Sequence, residues 1–239
     1  MIVFSLDLTC DNNNYNFGER EGRLDVKKDQ TYTETIMRSI RRDIILGTYR
    51  PGDKLVISEL KKYYQVSLSV IREALTRLTE QEIVTATPNV GFRVAQISPQ
   101  GIQELKQARL INEGTAIKLA IERGSIEWEA KLVAAYYKLV HTEIYLPKTQ
   151  QLNLEWFMAH KHFHMTIVEG AGNRFLSKIC LRLWNQSELF RSQALVGHKV
   201  APGIEEHRQL TKAITDRDVD RALEIHAAHL TNGINHRQK

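Results

Sequence analysis

Residues 58–94, SELKKYYQVSLSVIREALTRLTEQEIVTATPNVGFRV, decide how the rest of the chain is read. Ile71, Ala74, Leu75 and Leu78 recur at i, i+3, i+4 and i+7, so one face of a helix is apolar. Ser69, Arg72 and Thr76 point the other way, which makes the polar face small and cationic. A short helix from Ser58 to Gln65 precedes it, with Leu60 and Tyr64 on one side. A turn of two or three residues then leads to Ser67, whose hydroxyl can accept an amide hydrogen bond from the first turn of the second helix. Thr85 to Pro88 and Gly91 to Val94 are expected as two extended segments around a tight Asn89-Val90 corner. Two helices joined by a tight turn and followed by such a wing are the geometry that lays a helix in the DNA major groove. The residues expected to meet DNA are Ser58, Ser67, Ser69, Arg72 and Thr76 on the helices, with Asn89 and Gly91 at the wing.

At these positions the chain resembles a known family. Pro51-Gly52, Leu55, Leu60, Val66-Ser67, Ile71-Arg72-Glu73-Ala74-Leu75, Arg77-Leu78, Gly91 and Val94 stand in the order of the winged-helix domain of GntR-type bacterial transcription regulators. Three positions depart from that pattern. Leu68 stands where the family usually has Arg, Val70 where it usually has Pro, and Glu82 where a Gly commonly ends the recognition helix. Losing the Arg removes a base or phosphate contact, which implies a different operator sequence. Glu82 deprives the helix of its easy left-handed terminator, at a cost on the order of 1 kcal/mol.

Upstream, residues 1 to about 30 carry Asn12, Asn13, Asn14 and Asn16 and interleaved charges with little apolar periodicity, the pattern of a flexible tail. Thr31 with Glu34 reads as a capping box opening a helix with Ile36, Ile40 and Ile44 on one stripe and a stop at Gly47. Arg38, Arg41 and Arg42 lie off that stripe, either as a solvated face or as phosphate contacts. The DNA-binding domain is thus expected at 31–96. Ser98-Pro99, a cap followed by proline at the first helical position, opens a second domain at 97–239. Helices are expected there at 98–123, 125–143, 149–171, 173–195, 201–215 and 218–236, with no convincing strand. The fold class is therefore mainly α: a winged helix-turn-helix with a small β-wing, then an all-α bundle of about six helices.

Composition agrees without discriminating. With 239 residues and 42% hydrophobic content the chain can bury a sizeable core, and its net charge of +5 permits a nucleic-acid partner without proving one. Cys10 and Cys180 are too few for a disulfide framework, which fits a reducing cytoplasm. No apolar run approaches the roughly 18 residues of a membrane span. The opening MIVFSLDLTC lacks the basic start of an export signal, and Asp7 interrupts its short apolar run.

The nine histidines are unevenly spread. His160 and His164 lie i, i+4 on one helical face, while His162 sits about 200° round from His160. His207 falls on the next-to-last helix, and His226 and His229 on the last. Imidazoles from three helices meeting in a bundle interior are a standard way to hold a divalent metal, although a single His on a helix more often packs or hydrogen-bonds. Trp128, Trp156, Trp184, Phe157, Phe163 and Phe175 read as core. His226 reads as packing, and His141, His198 and His236 as surface residues.

Residues 97–239 also resemble the FCD effector domain of the FadR branch of the same family, through Arg109 and Glu113, Phe163-His164, Gly172-Asn173, Glu206-His207 and His229-Leu230. The resemblance implies a metal held by His160, His164, His207 and His229, the last two keeping the family spacing of 22 residues. His160 departs from the pattern, which most often has Asp there. A nitrogen-only donor set favours zinc, nickel or copper over magnesium or manganese, with zinc or nickel the expected ion. The other outcome of that exchange is a site that has lost its metal. Arg109 is the residue expected to fork onto a small carboxylate effector, the alternative being an ion pair with Glu113.

Together these readings describe a DNA-binding transcription regulator, a homodimer on a near-palindromic operator, whose affinity a metal-held organic acid controls. Two alternatives come from other classes. One is a metal-dependent hydrolytic enzyme, against which the spacing sets no general base beside the cluster, Glu155, Glu169 and Glu206 lying at helix ends or on other faces. The other is a metal-sensing repressor with no organic effector.

Overall fold

Thr31 accepts the Glu34 amide at 3.3 Å and starts α1 (Tyr32–Ile45), but the reciprocal half of a capping box is not made. The Glu34 carboxylate instead takes the Arg38 guanidinium one turn on, at 2.7 Å. The computed structural model describes residues 31–194 and 203–235; the expected tail at 1–30, Cys10, His198 and His236 lie outside them.

After α1 come β1 (Lys54–Leu55), α2 (Ile57–Tyr64), α3 (Leu68–Glu80), β2 (Val84–Thr87) and β3 (Gly91–Val94). β3 is central in an antiparallel sheet of order β1-β3-β2, with Leu55 opposite Phe92 and Thr87 opposite Gly91. The wing is therefore three-stranded: β1 is only two residues long and shows no alternation to read. Ser67 caps α3 through the Val70 amide at 3.3 Å. Ile71, Ala74, Leu75 and Leu78 are fully buried against Ile36, Ile40 and Ile44 of α1 and Leu60 of α2. Glu82 ends the helical region with a φ of 57°, doing in a strained conformation what glycine does freely.

The second half holds α4 (Pro99–Arg123), α5 (Ile126–Val140), α6 (Leu154–Glu169), α7 (Arg174–Ala194), α8 (Ile204–Thr215) and α9 (Val219–Asn235). Ser98 and Ser125 cap α4 and α5 through the Gly101 and Trp128 amides. The helix expected from 149 begins at Leu154, capped by Asn153. The preceding residues form an ordered loop instead, in which the Asn153 amide donates to the Ile144 carbonyl and Gln150 adopts a φ of 55°. Ile117, Leu132, Phe163, Ile167, Leu210, Ile214 and Ile225 fill the bundle interior. Trp128, Trp156, Trp184, Phe157 and Phe163 are buried as expected, whereas Phe175 is 63% exposed with the Arg174 guanidinium over its ring. No helix among the described residues is long and apolar enough to cross a membrane.

Helix α7 packs on both halves, and Leu105 of α4 joins it against the winged-helix core. Leu189 and Phe190 of α7 complete the winged-helix core, and Trp184 packs with Phe157 and with Ile45 of α1. Asn185 accepts from Arg41, while Glu82 takes Arg182 and Gln186. Arg41 is thus neither a solvated cation nor a free phosphate contact: it is partly buried in this contact, and desolvation lowers its pKa to about 10.

Candidate metal centre and nucleic-acid interface

A single turn of α6 separates His160 from His164, so both rings lie on one face, edge to face at 85°, and α8 and α9 add His207 and His229. The four rings converge. His164 Nε2 lies 3.1 Å from His160 Nε2 and 3.3 Å from His207 Nε2, and one nitrogen from each of the four residues falls within 4.8 Å of the others. Four imidazoles bonded tetrahedrally at about 2.1 Å would set their nitrogens about 3.4 Å apart; the 3.1 and 3.3 Å separations already lie near that spacing, and the wider ones, up to 4.8 Å, would have to close onto an ion. His160, His164 and His207 are buried and His229 nearly so. Burial first, then the neighbouring imidazoles, holds the His164 pKa well below its ordinary range, leaving a neutral donor. A set of four imidazole nitrogens in a mostly buried site suits zinc, nickel or copper, and the donor chemistry fits a divalent cation.

The surroundings orient these rings. His229 Nδ1 is 2.7 Å from Glu206 Oε2, whose other oxygen accepts from the Asn232 amide at 2.6 Å. Trp156 lies parallel to His160, with centroids 5.0 Å apart. Glu188, a residue to which the sequence drew no attention, is buried with Oε2 3.7 Å from His160 Nδ1. Spacing had also placed Glu206 away from the cluster, and the fold corrects this: its carboxylate sits behind His229. His162 is exposed on the far face, and His141 stacks on Tyr137 at the surface.

Arg109 takes the ion-pair option. Its Nε and Nη2 meet both oxygens of Glu113 at 2.6 and 3.1 Å, and Nη1 donates to Ser187 Oγ at 2.9 Å. Burial alone would lower its pKa, yet the Glu113 and Glu188 carboxylates raise it, so the guanidinium stays charged. The same residue lines a small cleft between α4 and α7 with Leu105, Lys106, Ser187 and Phe190. His226 is buried with Nε2 3.5 Å from Glu113, and desolvation lowers its pKa from 6.5 to about 4.

That shift sets a pH dependence. Between 6.5 and about 4 the unfolded chain binds a proton that folded His226 refuses, so stability falls as pH falls through this window. The group's share of the loss is about 2 kcal/mol at pH 5. The metal-free His226→Gln chain is therefore expected to lose less melting temperature than the parent between pH 7 and pH 5. Equal losses in the two chains would show that His226 does not couple to folding.

On the other half, Ser58, Ser67, Ser69, Arg72, Thr76 and Asn89 are exposed and Gly91 is partly so. Ser67 Oγ and Ser69 Oγ are 2.8 Å apart at the start of α3. Arg72 makes no ion pair among the described residues, whereas its neighbour Glu73 accepts from Thr33 of α1 at 3.1 Å and from Arg77 at 2.7 Å. The Arg-Glu-Ala-Leu-Thr-Arg run thus holds one cation free of ion pairs and one carboxylate that bridges α3 to α1 at the surface. Asn89, with a φ of 61°, and Gly91, with a φ of 102°, turn the wing tip, a conformation that favours these two residue types. Lys54 and Arg93, opposite one another in the sheet, add two exposed cations that the sequence reading did not single out.

Comparison with known proteins covers both halves. The profile described as bacterial regulatory proteins, gntR family, matches residues 32–94, and that of the FCD domain matches 104–232. The HTH-type transcriptional repressor GlaR of Escherichia coli (strain K12) is 33% identical over 202 residues, covering 82% of this chain and 91% of GlaR. The HTH-type regulator BphR of Paraburkholderia xenovorans is 28% identical, covering 84% and 83%. Among solved structures, E. coli McbR/YncC superposes with a TM-score of 0.71 at 20% identity, over 87% of this chain and 97% of that one, which shows the shared fold.

Proposed function

The chain belongs to the gntR family of bacterial regulatory proteins and is a transcription regulator with an FCD domain, and from that premise we propose that a small carboxylate, acting with a zinc or nickel ion, sets its grip on DNA. The convergence of four imidazoles, three of them buried and His229 nearly so, carries this reading. His160, His164, His207 and His229 would hold the ion, which supplies a fixed positive charge for an acid anion. Arg109, which lines the cleft beside Lys106, would meet the acid by exchanging its Ser187 contact while Glu113 keeps the plane of its fork. Ser58, Ser67, Ser69, Arg72, Thr76, Asn89 and Gly91 read the operator from a domain at 31–96, and 97–239 forms the effector domain. Two copies act on a near-palindromic site in the cytoplasm, in the repressing direction for which the E. coli relative is named. Ile111 of α4 and Phe175 and Ile179 of α7, all exposed, support pairing of two copies through the bundle.

Coupling runs through α7. Ser187 and Glu188 of this helix touch Arg109 and His160, and Arg182, Gln186, Leu189 and Phe190 touch the winged helix. A change in how the bundle closes around its ligands thereby moves residues that hold the DNA-reading half.

A second reading draws on the donor count. Four histidines complete a tetrahedral shell, and a closed shell suits a metal that acts alone. Operator binding measured for metal-stripped chain, zinc- or nickel-loaded chain, and loaded chain with a panel of dicarboxylates and sugar acids separates the two. The acid reading expects one acid to shift affinity by about 5- to 150-fold beyond the loaded chain. A full shift on metal alone supports the metal-sensing reading, and operator binding indifferent to every addition overturns both.

A further inference from the structure

We propose that Glu188 is the positioning residue of the four-histidine centre: it selects which nitrogen of His160 faces the cluster and sets a carboxylate behind its four imidazole donors. The inference rests on the metal reading above. His160 is held on two sides. Its Nε2 points into the cluster, 3.1 Å from His164 Nε2, and its Nδ1 points out, 3.7 Å from Glu188 Oε2. Trp156, one turn back on α6 and nearly parallel at 7°, fixes the plane of the ring.

Stacking alone leaves an ambiguity, since turning an imidazole by half a revolution about its Cβ–Cγ bond preserves the plane and only changes which ring atoms face the centre. A polar group on one edge removes it. A carboxylate beside Nδ1 favours the tautomer that carries its proton there, and so presents Nε2 as a lone-pair donor to the centre. Glu206 stands in the same relation to His229, with its oxygen 2.7 Å from Nδ1. Two of the four rings are thus backed by carboxylates, one from α8 and one from α7, a helix that contributes none of the four histidines.

The charge argument is independent of orientation. Four histidines bring no negative charge of their own to a dication, and a dication in a buried site is stabilised by nearby negative charge. Glu188 is 3% exposed on its side chain, as buried as the ring it backs. Its separation from Nδ1 exceeds a hydrogen bond in this structure, so the contact is electrostatic at this distance. The role is therefore orientation and compensation from behind the ring, with Nε2 left as the donor.

The test uses full-length chain with 15N-labelled histidine and Co(II) as the probe. In metal-free parent protein His160 is expected as the Nδ1–H tautomer by long-range 15N–1H correlation, and finding it as Nε2–H overturns the proposal without any variant. Co(II) titration followed by visible absorption, with chelator competition, is expected to show Glu188→Gln weakened by about 10- to 100-fold, with mixed His160 tautomers. A purely structural role would lower the melting temperature and leave the tautomer unchanged. Parent-like Co(II) affinity and tautomer in Glu188→Gln overturn the proposal and leave the centre standing. A parent chain that takes up no Co(II) removes the centre itself, and this inference with it.

Discussion

A chain carrying His164→Ala and His207→Ala together is expected to purify without bound metal and to take up none on loading. The two rings come from α6 and α8 and approach to 3.3 Å, so their removal breaks the cluster across helices. His160 and His229, which remain, supply half the donors. Four-ligand zinc sites contribute about 10–16 kcal/mol, so losing half of the set costs roughly 5–8 kcal/mol, or four to six orders of magnitude in affinity. Two consequences are measurable in one preparation. Elemental analysis reports the ion directly, and the thermal shift that zinc gives the parent, about 4 kcal/mol at a thousandfold excess over Kd, disappears in the variant. The metal-free variant carries cavities where two buried rings stood, which lowers its own melting point, so the comparison is the shift on adding zinc. Full metal occupancy in the double variant would remove these histidines from the centre.

Arg72→Ala gives the second large effect, and it falls on DNA alone. The side chain is exposed and makes no ion pair among the described residues, so stability is expected to stay within about 0.5 kcal/mol. Operator affinity is expected to fall by about 1–3 kcal/mol, roughly 5- to 150-fold, if the guanidinium reads a base edge. Salt dependence separates this from a backbone contact. Removing a cation that meets a phosphate would weaken all sequences alike and flatten the salt slope by about 1, whereas removing one that reads a base relaxes preference at one position. Glu73→Ala provides the contrast: its carboxylate accepts from Thr33 of α1 and, within α3, from Arg77, so that change weakens the α1–α3 contact rather than the sequence preference. Unchanged operator binding by Arg72→Ala would mean that another face of the winged helix meets DNA.

Much of this protein is legible along the chain because helices are local objects. The apolar stripe of Ile71, Ala74, Leu75 and Leu78, the caps at Ser67, Ser98 and Ser125, and the pairing of His160 with His164 all depend on residues within one or two turns. Departures arose where nonlocal contact replaced periodicity. Strand β1 is two residues that become a strand only because β3 passes beside them. Residues 149–153 carry a helical pattern but are drawn into a loop by bonds back to 143–146. Phe175 is apolar yet exposed, because its place on α7 faces out of the bundle.

The site divides in the same way. Which histidines share a helical face follows from a repeat of about 3.6 residues per turn, and that much was written in the order of residues. That α8 and α9 return to complete the cluster, that Glu188 and Glu206 stand behind its rings, and that Arg109 is engaged by Glu113 and Ser187 were decided only when the helices packed. Arg109 and Ser187 are 78 positions apart, as His164 and His207 are 43 apart. No local preference encodes such meetings: they follow from burying apolar faces against one another, which fixes where each helix's polar residues end up and leaves those inside to find partners.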